Sequence, residues 1–240
     1  MLTGPLDTID LISVDVFDTL LLRGTECEKA RYRAIATLAS KRLHDLGHEV
    51  SPSLLWRSRL QCIDPAYRAV EIFRPAGDVP LAHFHRLQGA LLGLDAAASA
   101  ALAEAEIETE RRHLAPNRPL IEQLTRLSEC GKRVVAVSDT YFSGAAIEHL
   151  LGEVAPAHPI ARVYSSSDAG LTKRSGELFT FVADAEGVAA SRVLHCGDDP
   201  HSDIRMARQR GLGAVRLGRP HRVRLLRRLN AMRFRLTSRW

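Results

Sequence analysis

Apolar residues cluster in short continuous runs at residues 11–17, 133–138, 161–165, 192–196 and 213–217. Runs that are continuous, rather than alternating with polar residues, predict strands buried on both faces. Between the later runs, apolar positions recur at helical spacing over residues 119–130, 144–151, 176–185 and 202–210. Strand–helix alternation of this kind predicts an α/β fold with a parallel sheet covered on both sides. The segment from Gly24 to about Asn117 reads differently. It predicts amphipathic helices over 28–46, 53–62, 81–92 and 96–114, separated at Gly47, Pro65, the turn 74–77 and Gly93. A helical block of that length, inserted after the first strand, constitutes a separate module. The expected division is a core of residues 1–23 and 117–218, a helical insertion at 24–116 and a tail helix at 219–240.

Composition adds limited constraints. A chain of 240 residues, 45% hydrophobic and 25% charged, is ordinary for a globular protein with a full core. Cys27, Cys62, Cys130 and Cys196 are widely spaced, with no CxxC pair, which predicts reduced thiols in a cytoplasmic protein. The amino terminus shows no basic segment followed by an apolar one, so no signal peptide is expected. The net charge of +5 raises a nucleic-acid reading, but much of the excess lies after Arg216. A local basic tail does not make the whole chain a nucleic-acid binder, and none is expected as partner. In that tail Leu225, Leu226, Leu229 and Met232 fall at helical spacing among eight arginines. It reads as a last helix packing on the core with a solvated basic face, with an acidic partner or a membrane surface as the other outcome.

The chemistry gathers where such sheets carry function, at the carboxyl ends of their strands. Asp15 ends the first run, Ser138 the second, and Gly197-Asp198-Asp199 follows the fourth, with Asp203 four residues on. A carboxylate at a strand end is placed to attack phosphorus and form a covalent intermediate. Asp198 and Asp203, with Asp15, offer the hard oxygen ligands that Mg2+ takes. Ser138 offers a hydroxyl, and the amides of Asp139 and Thr140 offer donors at a helix entry. Lys173, one of four lysines in a chain that prefers arginine, opens a helical stretch as a point cation.

These segments, in this order, resemble the four motifs of the haloacid dehalogenase (HAD) superfamily over about residues 10 to 217. The resemblance implies a Rossmann-like parallel-sheet core in which the all-helical insertion is a type 1 cap that closes over the site and selects the substrate. It implies Asp15 as nucleophile, Ser138 and Asp139 with Lys173 at the phosphate, and Mg2+ held by Asp15, the main-chain oxygen of Phe17, Asp198 and Asp203. Phosphatases of this family carry a second Asp two residues after the nucleophile. Here that position is Phe17, and the acid comes one residue later as Asp18, so the general acid–base contribution falls to Asp18, to another group or to a good leaving group. Arg23, where the chain leaves the core, is a candidate substrate contact, and Arg74, His83, His85 and Arg86 are further polar residues of the cap. Glu106 and Glu110 share a helix face and are expected to support that helix through Arg111 and Arg112.

The expected activity is a Mg2+-dependent phosphatase or phosphotransferase acting on a small phosphorylated metabolite through an aspartyl-phosphate on Asp15. Metal-independent carbon–halogen hydrolysis and a non-catalytic binding module are the alternatives.

Overall fold

The computed structural model describes residues 6–75 and 77–237. The first five residues of the expected core, Ala76 of the expected turn and the last three residues of the expected tail lie outside the described residues. In chain order the strands are β1 (Leu11–Val14), β2 (Leu21–Arg23), β3 (Leu114–Pro116), β4 (Arg133–Ser138), β5 (Arg162–Ser165), β6 (Val193–Gly197) and β7 (Gly213–Arg216). The helices are α1 (Glu28–Asp45), α2 (Pro52–Phe73), α3 (Leu81–Leu92), α4 (Ala96–His113), α5 (Arg118–Glu129), α6 (Gly144–Val154), α7 (Ser166–Ala169), α8 (Glu177–Glu186), α9 (Ala207–Gln209) and α10 (His221–Thr237). A π-helical turn, Pro200–Met206, precedes α9.

The chain divides into two compact units. The first comprises residues 1–22, 74–78 and 115–219; the second comprises 23–73, 79–114 and 220–240. Two details differ from the division read from sequence. The short segment 74–78, inside the helical insertion, belongs with the sheet, and the tail from Pro220 belongs with the helices.

In the first unit a five-stranded parallel sheet runs in the order β5-β4-β1-β6-β7. Val14 pairs with Ala136 on one side and Cys196 on the other, so β1 is central. All four residues of β1 are buried, as its unbroken apolar pattern requires. The register brings the last residues of β1, β4 and β6 to one edge, and Asp15, Ser138 and Asp198 all lie there. Leu11, Val135, Val137 and Val193 pack with Leu178, Phe179 and Val182 of α8 to form the core on one face.

The second unit is helical. Ala36, Ala39 and Leu43 of α1 meet Ala98, Leu102 and Ala105 of α4 in its buried core. The alanine-rich start of α4 is therefore a close-packing surface, since small side chains let two helices approach. Contrary to expectation, α2 does not stop at Pro65 but runs through it. Pro65 and Gln61, whose carbonyl loses its helical donor to the proline, are both exposed, so the break in the ladder falls on the surface and not in the core. The three-residue strands β2 and β3 pair where the chain leaves and rejoins the sheet unit. They are too short to leave a periodic signal. Among the described residues no helix is long and apolar enough to cross a membrane.

Candidate active site

The loop after β1 is tied tightly by its own backbone. The Val16 carbonyl accepts from the amides of Thr19, Leu20 and Leu21, and the Asp18 amide donates to the Leu21 carbonyl. Asp18 takes a left-handed φ of 67°, which Asp tolerates better than most residues. This turn keeps Asp15 at the strand end while redirecting the residues that follow.

Asp15, Asp198 and Asp203 come together from β1 and the segment after β6, with ligand oxygens all within 4.8 Å of one another. Lys173 lies between two of them, its Nζ 2.7 Å from Asp15 Oδ1 and 2.6 Å from Asp203 Oδ1. All three partners are nearly inaccessible to water. Burial pushes the Asp15 carboxyl up, against the pull of Lys173 and with the Asp203 charge adding to the rise. Asp198 is pushed up to about 7 by burial and by the charges of Asp15, Asp18 and Asp203. Burial would lower Lys173, but the surrounding carboxylates outweigh it and raise it. Asp203 is held low, because Lys173 and His195 outweigh its own burial.

The donor set suits Mg2+. Opposite oxygens around an octahedral Mg2+ sit about 4.2 Å apart, close to the span of this cluster. The three crowded carboxylates, with Lys173 against Asp15 and Asp203 and Arg219 at the edge beside Asp198, are a donor set whose negative charge a dication would neutralise. Asp15, Asp198 and Asp203 are the residues that would hold it.

Asp203 owes its position to two devices. Gly197 is the first: a Cβ there would lie 2.2 Å from Asp203 Oδ2, so only glycine admits the carboxylate. The second is a buried cross-strand pair of β1 and β6, Ser13 and His195. Ser13 Oγ is 2.8 Å from His195 Nδ1, and His195 Nε2 is 3.3 Å from Asp203 Oδ1. Burial lowers the His195 pKa and so favours the neutral ring. A neutral ring satisfies both contacts in one way only, with the Ser13 hydroxyl donating to Nδ1 and Nε2–H donating to the carboxylate. Neither Ser13 nor His195 was evident from sequence, since both sit inside apolar runs. Asp199 does different work, capping the π-helical turn by accepting from the amides of His201 and Ser202. Single π turns of this type recur at functional sites.

The other expected site residues distribute as follows. Ser138 is buried at the end of β4, paired with Ser165 of β5. The Asp139 carboxylate accepts from the amides of Lys173 and Arg174, at 2.6 and 3.1 Å, and so fixes the loop that carries the lysine. The Thr140 amide, expected to face a phosphate, donates instead to Ser166 Oγ at 2.8 Å. The Phe17 ring packs on Phe142 with centroids 5.6 Å apart, filling with hydrocarbon the place where an acid was looked for. Asp18 is ion-paired with Arg219, which also lies 3.3 Å from Asp198 through Nε. Arg219 reads in sequence only as part of the tail; its convergence on Asp18, 201 residues away, leaves no local trace.

In the helical unit, Arg23 Nε is 2.9 Å from Glu110, which also takes Arg31. Glu106 takes Arg59 at 3.1 Å and His85 at 2.9 Å, all three buried. The expectation that Glu106 and Glu110 pair with Arg111 and Arg112 is therefore corrected: Glu108 takes both of those arginines. Arg111 and Arg112 lie three and four residues along from Glu108 on the outer face, whereas Glu106 and Glu110 point inward. His85, expected among the polar residues of the cap, is a member of this interior network.

At the level of sequence, no protein-family model matches the chain and no curated protein matches it. Solved structures do. A 2-haloacid dehalogenase from Pseudomonas syringae pv. Tomato DC3000 superposes with a TM-score of 0.57 at 18% identity, over 87% of this chain and 86% of that one. The chain has the HAD fold. The L-2-haloacid dehalogenase from Xanthobacter autotrophicus gives a TM-score of 0.56 at 16% identity, over 93% and 83% of the two chains. A HAD family enzyme from Bacteroides thetaiotaomicron, solved with magnesium and inorganic phosphate, gives 0.54 at 11% identity, over 87% and 93%. The HAD fold so identified is the Rossmann-like core with helical insertion expected from the motifs.

Proposed function

We propose that the chain is a Mg2+-dependent hydrolase of phosphate monoesters that reacts through an aspartyl-phosphate on Asp15. One observation carries the reading: three carboxylates gathered within 4.8 Å, two of them in contact with a buried lysine. Hydrolysis of carbon–halogen bonds needs the nucleophile but not the second and third carboxylates. Magnesium and phosphate in the Bacteroides HAD structure add support.

Lys173 holds Asp15 Oδ1, which leaves Oδ2 to attack phosphorus as the bond to the ester oxygen breaks. Ser138 and Lys173 face the phosphoryl oxygens, and Asp139 keeps Lys173 in place through its backbone. When bound, Mg2+ supplies the positive charge that lets an anionic ester approach an anionic nucleophile. Water then attacks the aspartyl-phosphate, releasing phosphate and restoring Asp15. Phe17 offers no proton to the leaving oxygen, and the Asp18 carboxylate is engaged by Arg219. Esters whose leaving oxygen needs little protonation are therefore the favoured substrates, and aryl phosphates should react well ahead of alkyl phosphates.

Phe17 also supports a second reading, metal-independent hydrolysis of a 2-haloacid by the same Asp15. One of the solved dehalogenases carries chloropropionic acid covalently bound. The two readings separate in one assay series. p-Nitrophenyl phosphate hydrolysis that requires Mg2+ and is lost in Asp15→Asn supports the first. Chloride release from 2-chloropropionate in EDTA, without phosphatase activity, replaces it with the second.

A further inference from the structure

The last helix carries a feature that neither reading of Asp15 uses. Helix α10 is fixed to the helical unit along one side. Arg227 donates to the carbonyls of Gly24 and Arg23, Asn230 Nδ2 donates to the Thr25 carbonyl, and Phe234 meets Trp56 with ring centroids 6.5 Å apart. Val223, Arg227, Asn230 and Phe234 are half-buried along this side. On the opposite side Leu225, Leu229, Met232 and Leu236 are 59%, 48%, 57% and 86% exposed. At about 100° per residue these four fall within an arc of about 60°, diametrically across from the fixed side. Arg222 and Arg233 flank that stripe on one shoulder, and Arg224, Arg228 and Arg235 on the other, all exposed. Residues 219–240 contain no acidic side chain.

An exposed leucine is unremarkable alone; a stripe of four, bordered on both sides by arginine, is a surface with a partner. We propose that α10 is a membrane-docking face, lying flat on a bilayer rich in anionic phospholipid. The stripe enters the boundary between headgroups and acyl chains, and the arginines on both shoulders extend outward to the lipid phosphates. The charge pattern selects this occupant. A second copy stacked on the same stripe would bring two sets of exposed arginines together. A nucleic acid would meet hydrocarbon at the centre of the face, where it needs cations. Because the other side is held by Arg227, Asn230 and Phe234, only one face is offered, which suits a flat surface. The inference is independent of what Asp15 does.

The test is co-sedimentation of the full chain with vesicles of phosphatidylcholine, alone or mixed with phosphatidylserine. The protein should sediment with the anionic vesicles at low salt, and far less with the neutral ones. Leu229→Glu with Met232→Glu should weaken this at least tenfold, and Arg222→Gln with Arg228→Gln and Arg235→Gln by roughly a hundredfold. All five positions are exposed, so urea unfolding should match the parent and show that the variants are folded. Several results would overturn the proposal: no sedimentation with anionic vesicles, equal sedimentation with neutral ones, or binding untouched by the two glutamates. Retention on nucleic acid or on a second copy of the chain, lost in the same variants while vesicles are ignored, would assign the face elsewhere.

Discussion

Replacing Lys173 with methionine removes the ammonium that separates Asp15 from Asp203. Its Nζ lies 2.7 and 2.6 Å from their oxygens. At an effective dielectric constant of about 20, each contact is worth about 6 kcal/mol of gross attraction. The carboxylates, within 4.8 Å of one another, repel by about 3.5 kcal/mol per ionised pair on the same scale. Desolvation of the ammonium offsets much of the attraction. The net loss expected for breaking a buried pair is about 3–5 kcal/mol of stability in the metal-free protein. Mg2+ should move the other way. A dication about 4 Å from the former ammonium escapes a repulsion of at least about 2 kcal/mol, even at the dielectric constant of water, or roughly thirtyfold in affinity. Urea unfolding in EDTA and in excess MgCl2, with calorimetric titration of Mg2+, reads both effects. The variant should be less stable in EDTA, bind Mg2+ more tightly, recover stability when Mg2+ is present and hydrolyse substrate far more slowly. Unchanged stability together with unchanged Mg2+ affinity would refute the electrostatic reasoning.

Three other perturbations test separate parts of the structure. Glu106→Gln should lower stability by about 3–5 kcal/mol, because Arg59 is left buried without its countercharge. Burial would raise Glu106, but Arg59 and His85 hold it below the usual carboxylate range. Its stabilisation is therefore complete above the unfolded-state value and drains as pH falls through the folded one, so acid unfolding from about pH 5 downward should flatten in the variant. Gly197→Ala should displace Asp203 and weaken Mg2+ binding at least tenfold by calorimetry, since the added Cβ falls 2.2 Å from its oxygen; wild-type affinity would remove that constraint. Ser13→Ala should cost about 1–3 kcal/mol by leaving buried His195 Nδ1 without its donor, read by urea unfolding, and a neutral effect would contradict the relay to Asp203.

The sheet and the residues at its carboxyl edge were readable because continuous apolar runs and the turns after them are local signals. Asp15, Ser138 and Asp198 needed only strand periodicity and the rule that parallel sheets work at their carboxyl edges. Asp203 followed from spacing, but what holds it did not: Ser13 and His195 are polar residues within apolar runs, meaningful only once β1 and β6 are known to be neighbours. Arg219 escaped for a similar reason. It stands at the head of an arginine-rich tail, and only folding brings it to Asp18. In the helical unit, helix existence was legible, while the partners of Glu106, 47 and 21 residues away at Arg59 and His85, were not. Pro65 misled because its usual effect assumes that the freed carbonyl is buried. On α10 the stripe was visible in sequence, but the expectation that it packs on the core is corrected: Leu225, Leu226, Leu229 and Met232 are exposed, and the helix is held instead by the side that carries Arg227, Asn230 and Phe234.

The most direct measurement traps the covalent intermediate. The protein is mixed with Mg2+ and an aryl phosphate, quenched in acid within one turnover, digested and mapped by mass spectrometry. The account predicts a phosphoryl group on Asp15, dependent on Mg2+ and absent in Asp15→Asn. Substrate turnover with phosphate on another residue, or with Asp15 never modified, would contradict it.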